Sequence, residues 1–212
     1  MSRVVMAGAL VNPLAHAVMQ CLAVAEALGG APPWPVAIEV ERYRVPPIEV
    51  EDTAVLRVRF RAGPQVLAAV TLASAEFVAG EVVVTGTSGQ ASLEYPTDRL
   101  RLPGDAVTRR VPGRRGLLEN LLAHRIDPAG VPLIAPLART APFTALLDAL
   151  RAAPEPRLLD GDLVTVVGAG GDRVRHLRGV ADVLRAAAER GALPSELGVP
   201  WAAAAYRAEL AG

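Results

Sequence analysis

Asn12, His16 and Gln20 stand four residues apart at the start of a stretch that reads as helix, and they are the best candidates in the sequence for acid-base and hydrogen-bonding chemistry. A histidine ring can take up or release a proton near neutral pH, while the two amides both donate and accept hydrogen bonds. At 3.6 residues per turn the three side chains form one polar stripe. The stripe begins at the dipole-positive end of the helix. An N-cap, a histidine and a glutamine on a solvated helix face are equally ordinary, so spacing alone leaves both readings open.

The elements that must position this stripe follow from periodicity. Asn12 is a good N-cap and Pro13 then falls at the first helical position, where no amide is needed. Leu14, Val18, Cys21, Leu22, Ala25 and Leu28 give the helix one broad apolar face, and Gly29-Gly30 stops it. Residues 36–45 alternate apolar with polar and read as a strand, closed by Pro46-Pro47. Residues 53–62 alternate again, with Ala54, Leu56, Val58 and Phe60 on one side and Val55, Arg57, Arg59 and Arg61 on the other. Gly63-Pro64 turns the chain into a more apolar strand over 65–73, and residues 81–85 and 90–95 form a further hairpin. Short turns between consecutive strands predict an antiparallel meander of at least five.

The remainder is helix, loop and one glycine-rich turn. Residues 102–115 read as loop, and their arginine pairs lack the interleaved aromatics of a nucleic-acid clamp. Residues 116–124 read as a short helix with Leu117, Leu118, Leu121 and Leu122 toward the core, and 139–152 as another helix. A strand over 163–167 running into Gly168-Ala169-Gly170-Gly171-Asp172-Arg173 invites a dinucleotide-binding reading, but Arg173 falls where the third glycine belongs. We read it as a turn. A last helix opened by Arg175 and His176 runs through Ala188 to Gly191, and Trp201 packs on the body of the protein.

Composition narrows the chemistry. The 212 residues are 51% hydrophobic, enough for a full core, and one domain over 1–212 is the natural expectation. Net charge is zero, which gives no long-range attraction to nucleic acid or an anionic membrane, and neither is expected as a partner. All 22 basic residues are arginine, so Schiff-base and lysine acid-base chemistry are excluded within these residues. A single Cys21 can form neither an internal disulfide nor a cysteine metal site, no metal is expected, and a reducing cytoplasmic setting fits. No apolar run reaches the roughly 20 residues of a spanning helix.

Gly8-Ala9-Leu10-Val11-Asn12 followed by His16 resembles the G-A-L-x-D-x-x-x-H stretch of the Gfo/Idh/MocA family of nicotinamide-dependent oxidoreductases. The resemblance continues through Glu51-Asp52-Thr53-Ala54-Val55-Leu56, residues 80–91 and residues 142–150. It covers most of the chain but only the second half of the family's two-domain protein. It implies an α+β fold, a large, mainly antiparallel open sheet with helices packed on one face, and a homodimer formed through the open face with Trp34 and Tyr43 in the contact. It implies catalytic roles for His16 and Asn12, a substrate contact for Gln20, and a sugar or polyol substrate. NAD or NADP would serve the complete enzyme, held by a missing Rossmann domain, with no cofactor bound by this chain alone. Asn12 stands where the family has an acid, so it can orient a hydroxyl but cannot relay a proton. Two other expectations accompany this one, a non-catalytic assembly module built on the same sheet and an independent small-ligand binder.

Overall fold

The structure, a computed structural model, describes residues 8–12, 15–30, 32–113, 115–169 and 173–210. Pro13, Leu14 and the glycine turn at 170–172 lie outside the described residues. In chain order the elements are α1 (Ala15–Gly29), β1 (Pro35–Arg44), β2 (Thr53–Phe60), β3 (Val66–Thr71), β4 (Glu81–Gly86), β5 (Gly89–Glu94), β6 (Arg99–Arg101) and β7 (Arg109–Arg110). There follow α2 (Leu117–Ile126), α3 (Ala141–Arg151), β8 (Arg157–Leu158), β9 (Val164–Val167), β10 (Val174–Leu177), α4 (Val180–Arg190) and β11 (Tyr206–Glu209). The chain divides into two compact units, residues 1–78 with 142–212, and residues 79–141. The class is α+β with helices packed against antiparallel sheets, as expected.

The larger unit is built on the sheet β11-β1-β2-β3, all antiparallel, with β8 running parallel to the far end of β1. Alternation along β1 and β2 sends neighbouring residues to opposite faces. Ile38, Val40, Leu56, Val58, Ala68 and Val70 meet Val18, Leu22 and Ala25 of α1 and Leu146 and Leu150 of α3. On the opposite face Tyr43 and Val55 pack with Val180, Leu184 and Ala187 of α4 and with Leu193 and Trp201. Helices therefore cover both faces, one of them only in part. Tyr43 is 1% exposed and meets Trp201 edge to face, ring centroids 4.9 Å apart, so it is spent inside the chain and unavailable to a partner. The two-stranded β9-β10 hairpin claims Arg175 and His176, and the helix starts only at Val180, because Gly179 at φ 68° interrupts the path.

The smaller unit holds β4-β5-β6-β7 as an antiparallel meander and α2 beside its own loop. The β4–β5 pair and the larger sheet are thus separate sheets, not one meander. The face of α2 that meets protein carries Asn120 and His124. Asn120 Nδ2 donates to the Pro132 carbonyl at 3.0 Å, its Oδ1 accepts from the Ile134 amide at 2.9 Å, and His124 Nδ1 donates to the Val131 carbonyl at 2.7 Å. Loop backbone needs polar partners, and only this side of the helix offers them. Leu117, Leu118, Leu121 and Leu122 are consequently exposed, Leu118 at 69%, contrary to the expectation that they face the core.

Candidate functional site

The approach to α1 is a turn tied to the segment between β1 and β2. The Ala9 amide donates to the Glu51 carbonyl at 3.0 Å, and the Val11 and Asn12 amides donate to the Gly8 carbonyl at 3.0 and 2.9 Å. The Leu10 amide donates to Glu51 Oε1 at 3.3 Å, and Ala9 and Leu10 are buried in the core. Gly8 is obligatory here: a Cβ at this position would lie 2.1 Å from the Glu51 carboxylate. Glu51 is itself buried, and Arg42 donates to its Oε2 through Nε at 3.0 Å and Nη2 at 2.7 Å. The remaining Arg42 nitrogen reaches the carbonyls of Leu150 and Pro154, which ties in the end of α3.

The stripe stands where this frame leaves it. Asn12 and His16 are exposed and Gln20 is half-buried, off the flank formed by Val18, Leu22 and Ala25. Among the described residues no hydrogen bond joins the three. Cys21, on the same helix, has its thiol pushed up to about 11 by burial and is unreactive. No group of three or more histidine, cysteine, aspartate or glutamate side chains is placed to hold a metal among the described residues.

Two cavities of the larger unit lie elsewhere, on the partly covered face of its sheet. One, of about 330 Å³, is lined by Glu39, Arg57, Arg59, Gln65, Arg207 and Glu209 among others. Arg57 donates to Glu39 through Nε at 2.6 Å and holds Glu196 with two bonds at 2.8 and 2.6 Å, and Arg207 donates to the other Glu39 oxygen at 2.6 Å. The Arg57 hydrogen bonds, followed by the Leu193 amide, hold the Glu196 carboxyl down at about 2. Burial raises the Glu39 carboxyl, but the bonds and charges of Arg57 and Arg207 together outweigh it and leave it lowered.

The second cavity, of about 430 Å³, is lined by Leu193, Ser195, Glu196 and the alanines 202–205. Behind Ser195 sits Glu41, 2% exposed, whose carboxylate accepts from the Ser195 hydroxyl at 2.5 Å, the Ser195 amide at 3.2 Å and the Tyr43 hydroxyl at 2.5 Å. Tyr43 accepts in turn from the Ala203 amide at 3.1 Å. Burial, then the bond to Glu41, raises the Tyr43 hydroxyl above its ordinary value. The arrangement gives both oxygens of a buried carboxyl group hydrogen-bond donors and pins the 193–203 segment to β1.

Sequence reasoning singled out the stripe and missed two buried acids, Glu51 beside the turn before α1 and Glu41 on the opposite face of the sheet. Glu41 occupies a position that alternation alone assigns to an outward face, and Glu51 looks like loop polarity. The one available signal was the pairing of an acid doublet, Glu51-Asp52, with an immediately following strand. Asp52 accepts from the Val45 amide at 2.7 Å and the Thr53 hydroxyl at 2.8 Å, bridging the turn between β1 and β2.

No protein-family model matches the chain, and no curated protein matches it. Among solved structures it is similar to the crystal structure of aldose-aldose oxidoreductase from Caulobacter crescentus complexed with glycerol, at 19% identity and a TM-score of 0.48. The match covers 71% of this chain and 48% of that one, so the chain corresponds to about half the length of this sugar oxidoreductase.

Proposed function

We propose that the chain is the substrate-binding and dimer-forming domain of a nicotinamide-dependent oxidoreductase acting on a sugar or cyclitol hydroxyl, alongside a Rossmann domain that carries NAD or NADP. One observation supports this reading above the others. His16 is accessible on a helix whose opposite flank of Val18, Leu22 and Ala25 is clamped in the core, and Asn12 is accessible in the turn that leads toward that helix. Rigid placement is what a base needs to meet a substrate proton. A His16 ring nitrogen accepts the proton of the bound hydroxyl, Asn12 orients that oxygen without relaying the proton, and Gln20 binds a neighbouring hydroxyl. The residues of this chain do not fit the dinucleotide itself. They include no lysine, and Arg173 occupies the place of the third glycine in the 168–173 stretch.

A thermal-shift panel of glycerol, glucose and myo-inositol tests the reading, because a ligand that binds the folded chain adds RT ln(1 + [L]/Kd) to its stability. The expected result is stabilisation by at least one polyol that His16→Ala abolishes while the ligand-free melting point stays put. In the complete enzyme His16→Ala should lower turnover by roughly 10²-fold. No stabilisation by any member of the panel overturns substrate binding by this chain.

A second reading, a non-catalytic assembly module, is favoured by the open charged half of the larger sheet. Arg59 and Glu209, paired at 2.9 Å and both well exposed, offer a self-complementary surface to a two-fold partner. Sedimentation of the wild type and Arg59→Glu tests assembly through this face, which both readings share, and the polyol panel separates them, since a non-catalytic assembly module is stabilised by none of its members.

A further inference from the structure

We infer that Glu51 is a positioning residue for the polar stripe of α1, acting through Gly8 and Leu10. This rests on the substrate-binding reading and deepens it. Among the described residues no hydrogen bond holds a side chain of the stripe, yet the turn that delivers Asn12 is held by four backbone amides, two of which Glu51 takes. Its carbonyl takes the Ala9 amide at 3.0 Å and its carboxylate takes the Leu10 amide at 3.3 Å. The other two, the Val11 and Asn12 amides, close on the Gly8 carbonyl at 3.0 and 2.9 Å. Gly8 presses so closely on the Glu51 carboxylate that no side chain fits between them, so the turn has no slack on that side.

The carboxylate is fixed in its turn. Arg42 grips Oε2 through two nitrogens while its third reaches the Leu150 and Pro154 carbonyls, so Glu51 cannot swing away from the turn without breaking a buried ion pair. Two stretches of sequence 41 residues apart, Gly8–Asn12 and Glu51–Thr53, are thereby one mechanical unit. Its output is the place of Asn12 relative to the sheet. A carboxylate in this position sets geometry and touches no substrate.

The test compares Glu51→Gln and Gly8→Ala with Leu184→Ala, a core change in α4 on the opposite face of the sheet. Polyol affinity is read by titrating the full chain with glycerol, glucose and myo-inositol, and the Asn12 side-chain amide and His16 ring resonances are read by NMR. A positioning role raises the polyol Kd in the first two variants by about 10-fold or more. In Leu184→Ala the melting point falls and Kd does not change. If either variant fails to fold, Glu51→Asp carries the same measurements, because it keeps the negative charge beside Arg42 and draws the carboxylate back from the Leu10 amide. Unchanged Kd in Gly8→Ala overturns the inference even where the polyol binds. If the wild type binds no polyol, the substrate reading fails, and displaced Asn12 and His16 resonances in Gly8→Ala, with none in Leu184→Ala, still uphold the positioning role. Unmoved resonances overturn it.

Discussion

The two units of the chain treat the same kind of amphipathic helix in opposite ways. In the larger, α1 puts Val18, Leu22 and Ala25 against β1–β3, and the sheet is so well covered that β2 has six of its eight residues buried. In the smaller, the one buried residue of α2 is Asn120, and four leucines of that helix face outward. Apolar periodicity announced both helices equally well. It says which residues share a face, but whether that face meets a sheet or a loop's carbonyls is decided by what the rest of the chain brings alongside.

The contrast can be broken by mutation. Leu22→Ala opens a cavity in a close-packed interface and should cost about 2–5 kcal/mol in chemical denaturation; a neutral result would place the buried flank of α1 elsewhere. Asn120→Ala strips two loop bonds from a buried amide and should cost about 1–3 kcal/mol, with faster amide exchange at Ile134. A smaller effect is expected from acid. Glu196, held at about 2 against an ordinary 4.5, and the likewise lowered Glu39 contribute stability that is complete above pH 4.5 and lost as pH falls toward 2. Asp52, raised by burial against its amide and hydroxyl bonds, runs the other way, its contribution present at low pH and lost as pH rises. Urea midpoints from pH 6 to 2 should therefore fall for the wild type and fall less for Glu196→Gln. Smallest of all, Leu118→Gln should change stability by no more than about 0.5 kcal/mol, because the side chain already stands in water. A cost comparable to that of Leu22→Ala would show that the leucine face has a partner in solution.

Much of the larger unit was legible because its strands are long. Ten residues of β1 and eight of β2 give enough turns of a two-residue period to fix both the element and the division of its faces. The short elements escaped. β7 is two residues inside what reads as loop, and β10 carries Arg175 and His176, which look like the start of a helix until Gly179 breaks the path. The stripe was legible as a set of residues, since four-residue spacing on a helix needs no tertiary information. The buried acids were not. Glu51 lies 41 residues from Leu10, and on the opposite face of the sheet Glu41 lies 154 from Ser195, separations over which no local pattern carries a signal.

The sequence by itself determined the class of the fold, the antiparallel order of β1–β3, the absence of lysine chemistry and the place of His16 and Gln20 one turn apart on α1. These follow from composition and from periods of two and 3.6 residues, which each segment expresses without its neighbours. Only the tertiary structure decided that both faces of the larger sheet are covered, that Tyr43 is spent against Trp201, that the leucines of α2 face water, and that Gly8 must be glycine. Each of those depends on which distant segment arrives at a surface, and a buried carboxylate or an apolar stripe is satisfied by the atoms that arrive, which no stretch of chain can specify alone.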